Sequence, residues 1–211
     1  MVLSPMMILN WQKLDRKKTG EIINRVSQTP DGPLFSTTTS EATIAPLPFY
    51  RGFMLVRLTN YATLPSFTLD FLSDGSAFYL LDGAPDPLQK VAMRGGLILS
   101  DHNVADYVEF FFKHVTTEEG DIYLIHNPED MPFLDSLSLD QQIQIKRAHT
   151  DVAVAYDRDN DYFLVQSDMY FAGTLLKATM TVQPDGQIEV TDHAMLIGSN
   201  GGQGHNNGYY A

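Results

Sequence analysis

From Thr43 onward the chain alternates apolar and polar residues in short runs. Phe53 to Leu58, Phe67 to Leu72 and Ala77 to Leu81 are separated by Pro65 and by Ser73-Asp74-Gly75-Ser76, and together they predict a meander of antiparallel strands. A further run at Gly96 to Leu99 leads to Ser100-Asp101, either of which suits the cap of a following helix. The period then changes. Val104, Tyr107, Val108, Phe111, Phe112 and Val115 recur at helical spacing within Asp101 to Val115, which predicts a helix from Asn103 to Val115 carrying the aromatic half of a core.

Strand periodicity resumes at Asp121 to His126. Past a proline-broken loop at Asn127 to Phe133, Leu137 to Arg147 carries two signals, a candidate cap at Ser138 and a strand-like Gln-Ile-Gln-Ile; a short helix leading into a strand is expected. Val152 to Tyr156, Tyr162 to Gln166, Tyr170 to Val182 and Gln187 to Thr191 read as strands, with turns at Asp157-Arg158-Asp159-Asn160 and Pro184-Asp185-Gly186. In the longest, Leu176, Ala178, Met180 and Val182 alternate with Lys177, Thr179 and Thr181, so one face meets a core and the other meets water.

Ahead of these strands, Lys13, Arg16, Lys17 and Lys18 precede Ile22, Ile23 and Val26, which reads as one or two helical turns interrupted near Thr19-Gly20. Thr29-Pro30-Asp31-Gly32-Pro33 is a breaker cluster, and Ser36 to Ser40 continues it as a polar connector. Gly198 to Ala211 has too little apolar content to order itself, although Tyr209 and Tyr210 suit docking in a neighbour's groove. The expected architecture is α+β: a twisted, mostly antiparallel sheet of about seven to nine strands packed around one central helix, with an N-terminal helical arm. The expected organisation is an arm over 1–30, a linker over 31–42, a single domain over 43–197 and a flexible tail over 198–211.

Composition narrows the function classes. With 211 residues, 44% of them hydrophobic, the chain can bury a sizeable core, and with no cysteine it has no disulfide, thiolate nucleophile, cysteine-ligated zinc or iron–sulfur cluster. No apolar run reaches the roughly 18 residues of a membrane span, and Met1 to Leu9 lacks the charged start and cleavage site of a secretory signal. A soluble, cytoplasmic protein is expected. The net charge of −12 divides into +3 over residues 1–30 and −15 over 31–211, so the body repels nucleic acid. The basic arm beside Trp11 and Leu14 suits either an anchor for anionic lipid or an acidic partner, or an ordinary solvated helix; its short apolar face favours the second.

Candidate chemistry is sparse. Asp157, Asp159, Asp161 and, eleven positions after the first, Asp168 imitate the oxygen spacing of a calcium loop, but Tyr162 stands where such loops need glycine, and a hairpin turn explains the cluster more simply. His102, His114 and His126 recur every twelve residues; the first two are about 18 Å apart along a helix, too far to share an ion. No nucleophile elbow, P-loop or dinucleotide fingerprint is present, and no cofactor is expected. If the sheet curls around the helix, Asp70, Tyr79, Tyr107 and His126 are the polar residues placed to meet in an acid–base pocket, against the plainer expectation that the tyrosines line the core with their hydroxyls satisfied and Asp70 closes a strand end.

Leu47-Pro48-Phe49-Tyr50-Arg51-Gly52-Phe53, then Leu55 to Asn60, then Asp106-Tyr107-Val108-Glu109-Phe110-Phe111-Phe112 before a glycine and a strand, resemble an uncharacterised family of bacterial proteins of unknown function, over roughly residues 45–195. The resemblance implies a bacterial origin and no catalytic residues. The functional expectation is therefore a non-catalytic binding or assembly domain, possible as a homo-oligomer whose sheets pair between subunits. The alternative is a small-molecule-binding protein or enzyme with an acid–base pocket between sheet and helix.

Overall fold

The computed structural model describes residues 7–26, 34–118, 120–131 and 134–197; the breaker cluster over 29–33 and the tail over 198–211 lie outside them. The chain divides into two compact units, one formed by Ile8–Asp82 with Asp86–Leu97, the other by Met7, Gly83–Pro85 and the described residues from Ile98 onward. The expected single domain over 43–197 thus spans parts of both.

In the first unit, β1 (Gln12–Lys13), β2 (Ser40–Pro46), β3 (Met54–Asn60), β4 (Phe67–Ser73) and β5 (Phe78–Leu80) form an antiparallel sheet in chain order. The strand β2 begins at Ser40, inside the expected linker, and β1 pairs with it through Gln12 and Ile44. Helix α1 (Arg16–Val26) lays Ile23 and Val26 on Ala42, Val56, Leu58 and Phe71. On β3 and β4, Leu55 and Leu72 are also fully buried, and because neighbouring strand residues point to opposite faces, both faces of this sheet are covered. Leu88 and Val91 are the buried side of α2 (Asp86–Met93), a helix that the strand-and-turn pattern does not reveal. The run Gly96 to Leu99 makes no strand; only an isolated bridge joins Leu97 to Tyr50.

The helix α1 is continuous through Thr19-Gly20, contrary to the expected interruption. Asp15 caps it by accepting the Lys18 backbone N–H at 2.8 Å, and the Gly20 backbone lies against Thr37, where an added Cβ would stand 3.3 Å from the threonine methyl. Glycine here permits close approach rather than a break.

The second unit holds α3 (Val104–His114), β6 (Ile122–Ile125), α4 (Leu139–Ala148), β7 (Ala153–Asp157), β8 (Tyr162–Phe171), β9 (Thr174–Val182) and β10 (Ile188–Ile197). Its sheet runs β10-β9-β8-β6, and β7 pairs with β8 as well. Residues 162–166 of β8 face β7 and residues 168–171 face β6, so the two short strands share one edge with a seam at Ser167. Helix α3 packs against β6 and β8, as its aromatic stripe predicts. The expected long strand over 170–182 is instead a hairpin. Its two-residue turn, Ala172-Gly173, has positive φ at both positions (47° and 81°), the conformation that matches the right-handed twist of the strands. Helix α4 is helical throughout, with a capping box in which Ser138 Oγ accepts the Gln141 N–H; Gln-Ile-Gln-Ile belongs to it and only Ile145 is buried.

The α+β class with antiparallel sheets stands. The single central helix does not: there are two sheets and four α-helices among the described residues. Periodicity identifies strands without specifying which of them pair, and α3 outshines the other helices because seven of its residues are buried, against one in α4.

Candidate functional site

The first unit contains a pocket of about 320 Å³ whose walls are the start of α1 and the loop over residues 36–40. The loop is tied into shape by its own polar groups. Ser36 N–H donates to Ser40 Oγ at 3.1 Å, the Ser36 and Thr38 hydroxyls lie 2.8 Å apart, and the Ser40 N–H returns to the Ser36 carbonyl at 2.9 Å. Beyond it, the Tyr61 N–H donates to the Thr39 carbonyl at 2.8 Å, which brings that ring to the rim, 56% exposed.

Hydroxyls and cations dominate the lining. Thr19 is 3% exposed and yet lines the pocket, and among the described residues its hydroxyl has no hydrogen-bond partner. Lys13 and Arg16 stand at the exposed rim. Glu41, the lining carboxylate, is held by Lys13 Nζ at 2.5 Å, whereas Arg16 has no carboxylate partner among the described residues. The excess charge facing the pocket is therefore positive. Trp11 does not stand free beside this arm, since the Arg57 guanidinium stacks 4.5 Å from its ring centre.

Of the four expected acid–base residues, Asp70, Tyr79 and Tyr107 have hydrogen-bond partners, and His126 has a carboxylate neighbour. Asp70 takes Arg57 in a two-point bond, both contacts at 2.8 Å, and the bond to Asp70 holds the guanidinium's pKa above its ordinary value. Tyr79 hydroxyl meets Arg94 Nη1 at 2.6 Å, and the same guanidinium reaches Asp74 at 3.2 Å. In the other unit, the Tyr107 hydroxyl donates to the Gly186 carbonyl at 2.8 Å, and burial, aided by Asp185, pushes its pKa well up. His126 lies beside Glu109, with Nε2 and Oε2 3.2 Å apart. Tyr107 and Glu109 are two residues apart on α3 and so point to different sides of it, which keeps Tyr107 away from His126.

Around Glu109 three ionisable groups gather. Its carboxylate also accepts the Met7 backbone N–H at 3.2 Å. Burial pushes the Glu109 carboxyl up, but His126, the Met7 amide and Lys113 outweigh it and hold it below the ordinary range. Asp106, one turn earlier, is pushed up by burial and then by Glu109, with His126 opposing. The His126 ring nitrogens are buried and neither attains hydrogen-bond geometry, so the approach to Glu109 is close but misaligned.

The acidic turn expected as a calcium mimic is occupied by backbone. Asp157 accepts the N–H groups of Asp159 and Asn160 at 3.0 and 3.2 Å and the Asn160 amide at 2.9 Å, which lowers its pKa, the Asn160 side chain contributing most. Asp161, at φ 56°, accepts the Tyr156 hydroxyl, and Asp159 follows in the turn. Asp168 is elsewhere, 1% exposed at the β6/β7 seam. It accepts His149 Nδ1 at 2.8 Å, the Thr150 N–H at 3.0 Å and the Thr150 hydroxyl at 3.3 Å. Among the described residues no group of three or more His, Cys, Asp or Glu side chains is placed to hold a metal ion. No described helix is long and apolar enough to cross a membrane.

Sequence reasoning passes over both Thr19 with its loop and the Asp168–His149 pair. A threonine-rich connector after a basic helix start is the signal for the first; the second depends on strand pairing across eighteen or more residues and has no local signal. No family model, curated protein or solved structure matches the chain.

Proposed function

We propose that this chain is a non-catalytic binding domain whose ligand, a small polar molecule, occupies the pocket between α1 and residues 36–40. The observation that carries the reading is the lining itself: Arg16, which has no carboxylate partner among the described residues, and the Thr19 hydroxyl, which makes no hydrogen bond among them, line an open volume of about 320 Å³, within the range of small-ligand sites. Hydrogen-bonding capacity that the described residues leave unused is available to a polar ligand. Binding rather than turnover is favoured because Glu41, the carboxylate in the lining, is paired with Lys13, and no histidine is among the described residues of the wall.

The test is backbone-amide NMR of the full chain with a panel of small polar compounds. A saturable response at residues 13–19 and 36–41, with the bound compound unchanged after prolonged incubation, is expected. Responses confined to other residues would overturn the assignment, and consumption of the bound compound would overturn its non-catalytic character. A second reading, an enzyme using an acid–base pair, draws on Glu109 and His126; it requires a turnover that His126→Gln abolishes.

A further inference from the structure

We infer that the group this pocket recognises is a phosphate monoester, an inference that rests on the pocket being the ligand site. Three observations converge. Donors come to the lining from two segments: Lys13, Arg16 and the buried Thr19 at the start of α1 and just before it, and Thr37, Thr38 and Thr39 from the loop, with Glu41 the one carboxylate among the described lining residues. A planar carboxylate presents two oxygens to such an arrangement, whereas a phosphate ester presents three, at about −1.5 to −2 charge near neutral pH.

The second observation is charge. Residues 13–18 carry Lys13, Arg16, Lys17 and Lys18 against Asp15, in a chain whose net charge is −12. At the lining Lys13 and Arg16 stand against Glu41, so the local excess is positive in an acidic chain, which favours an anion there. The third is Thr19, 3% exposed as a residue and yet lining the pocket, whose hydroxyl makes no hydrogen bond among the described residues and is reached from the open side. The Asp15 cap already satisfies the Lys18 N–H, so side-chain hydroxyls and cations, not the helix end alone, supply the recognition.

A phosphate monoester can arrive as a free metabolite or on a lipid headgroup. The labelled full chain is titrated with inorganic phosphate, glycerol 3-phosphate, citrate and glycerol at two ionic strengths, and sedimented with vesicles of phosphatidic acid in phosphatidylcholine. Phosphate and glycerol 3-phosphate are expected to move the amides of Arg16 to Thr19 and Thr37 to Ser40 saturably, more weakly at high salt. Arg16→Ala is expected to weaken binding about tenfold, the near-isosteric Thr19→Val severalfold, and the distant surface variant Lys90→Ala not at all. Sedimentation that soluble phosphate competes away assigns the headgroup source; binding of the soluble ester without sedimentation assigns the free metabolite. If citrate or glycerol moves these amides and phosphate does not, the phosphate inference falls and the pocket stands. If no probe moves them, both fall. An unchanged affinity in both Arg16→Ala and Thr19→Val would mean an adventitious ion only.

Discussion

The pocket beside α1 and the seam beneath α4 are both polar, and they have opposite characters. At the seam, Asp168 is buried and receives three hydrogen bonds, from His149 and twice from Thr150, so its charge is spent within the fold. At the pocket, Lys13 is paired but Arg16 and the Thr19 hydroxyl are not, among the described residues. Polarity alone does not mark a binding site; hydrogen-bonding capacity left over after the fold has taken its share does.

The contrast is broken most forcefully at Asp168. Asp168→Ala removes a buried acceptor from the half-buried His149 ring and from Thr150, and a loss of about 3 kcal/mol in urea unfolding is expected, with phosphate affinity per folded molecule unchanged. A change in affinity without loss of stability would reverse the roles assigned to the two sites.

Next comes Gly96→Ala, which asks whether the first unit is loose wherever it is open. An added Cβ would lie 2.8 and 2.9 Å from the Phe53 ring and 3.1 Å from a Val91 methyl. Overpacking of about 1–3 kcal/mol is expected in the same unfolding assay. A neutral result would show that this packing yields to an added methyl.

Smaller effects, of opposite sign, are expected at Glu109 and Asp106. A carboxyl held low in the folded state stabilises the fold above its ordinary pKa, about 4.3 for glutamate, and that stability is lost as pH falls through the lower folded value. A carboxyl pushed up does the reverse, imposing a cost at neutral pH that is relieved as pH falls through its raised value. Glu109→Gln is therefore expected to lower, and Asp106→Asn to raise, the melting temperature at pH 7, each by well under about 1 kcal/mol equivalent after solvent screening. Equal shifts of one sign would show that the Glu109–His126 contact does not govern this cluster. The smallest expected effect on stability is that of Arg16→Ala, less than about 0.5 kcal/mol for an exposed side chain with no carboxylate partner among the described residues.

What the sequence discloses follows from where each signal is local. The α3 stripe and β4 lie within a residue or two of their expected positions because their apolar periods are complete within one segment. Ala172-Gly173 escapes notice because the turn uses alanine at positive φ, where asparagine or aspartate would have announced it. Asp168 reads in sequence as the last oxygen of a metal loop and turns out to clasp the residues after α4, since only strand pairing shows which segment faces it. Ser36 to Ser40 reads as a connector for the same reason: its hydroxyls acquire meaning only where Gly20 lets α1 approach Thr37.

The most direct measurement is calorimetric titration of the full chain with glycerol 3-phosphate, run in parallel on Arg16→Ala and Asp168→Ala under conditions where both variants are folded. One site per chain is expected, weakened about tenfold by Arg16→Ala and untouched by Asp168→Ala. Absence of saturable heat, or an affinity that responds to Asp168 and ignores Arg16, would contradict the assignment of the open pocket as the binding site.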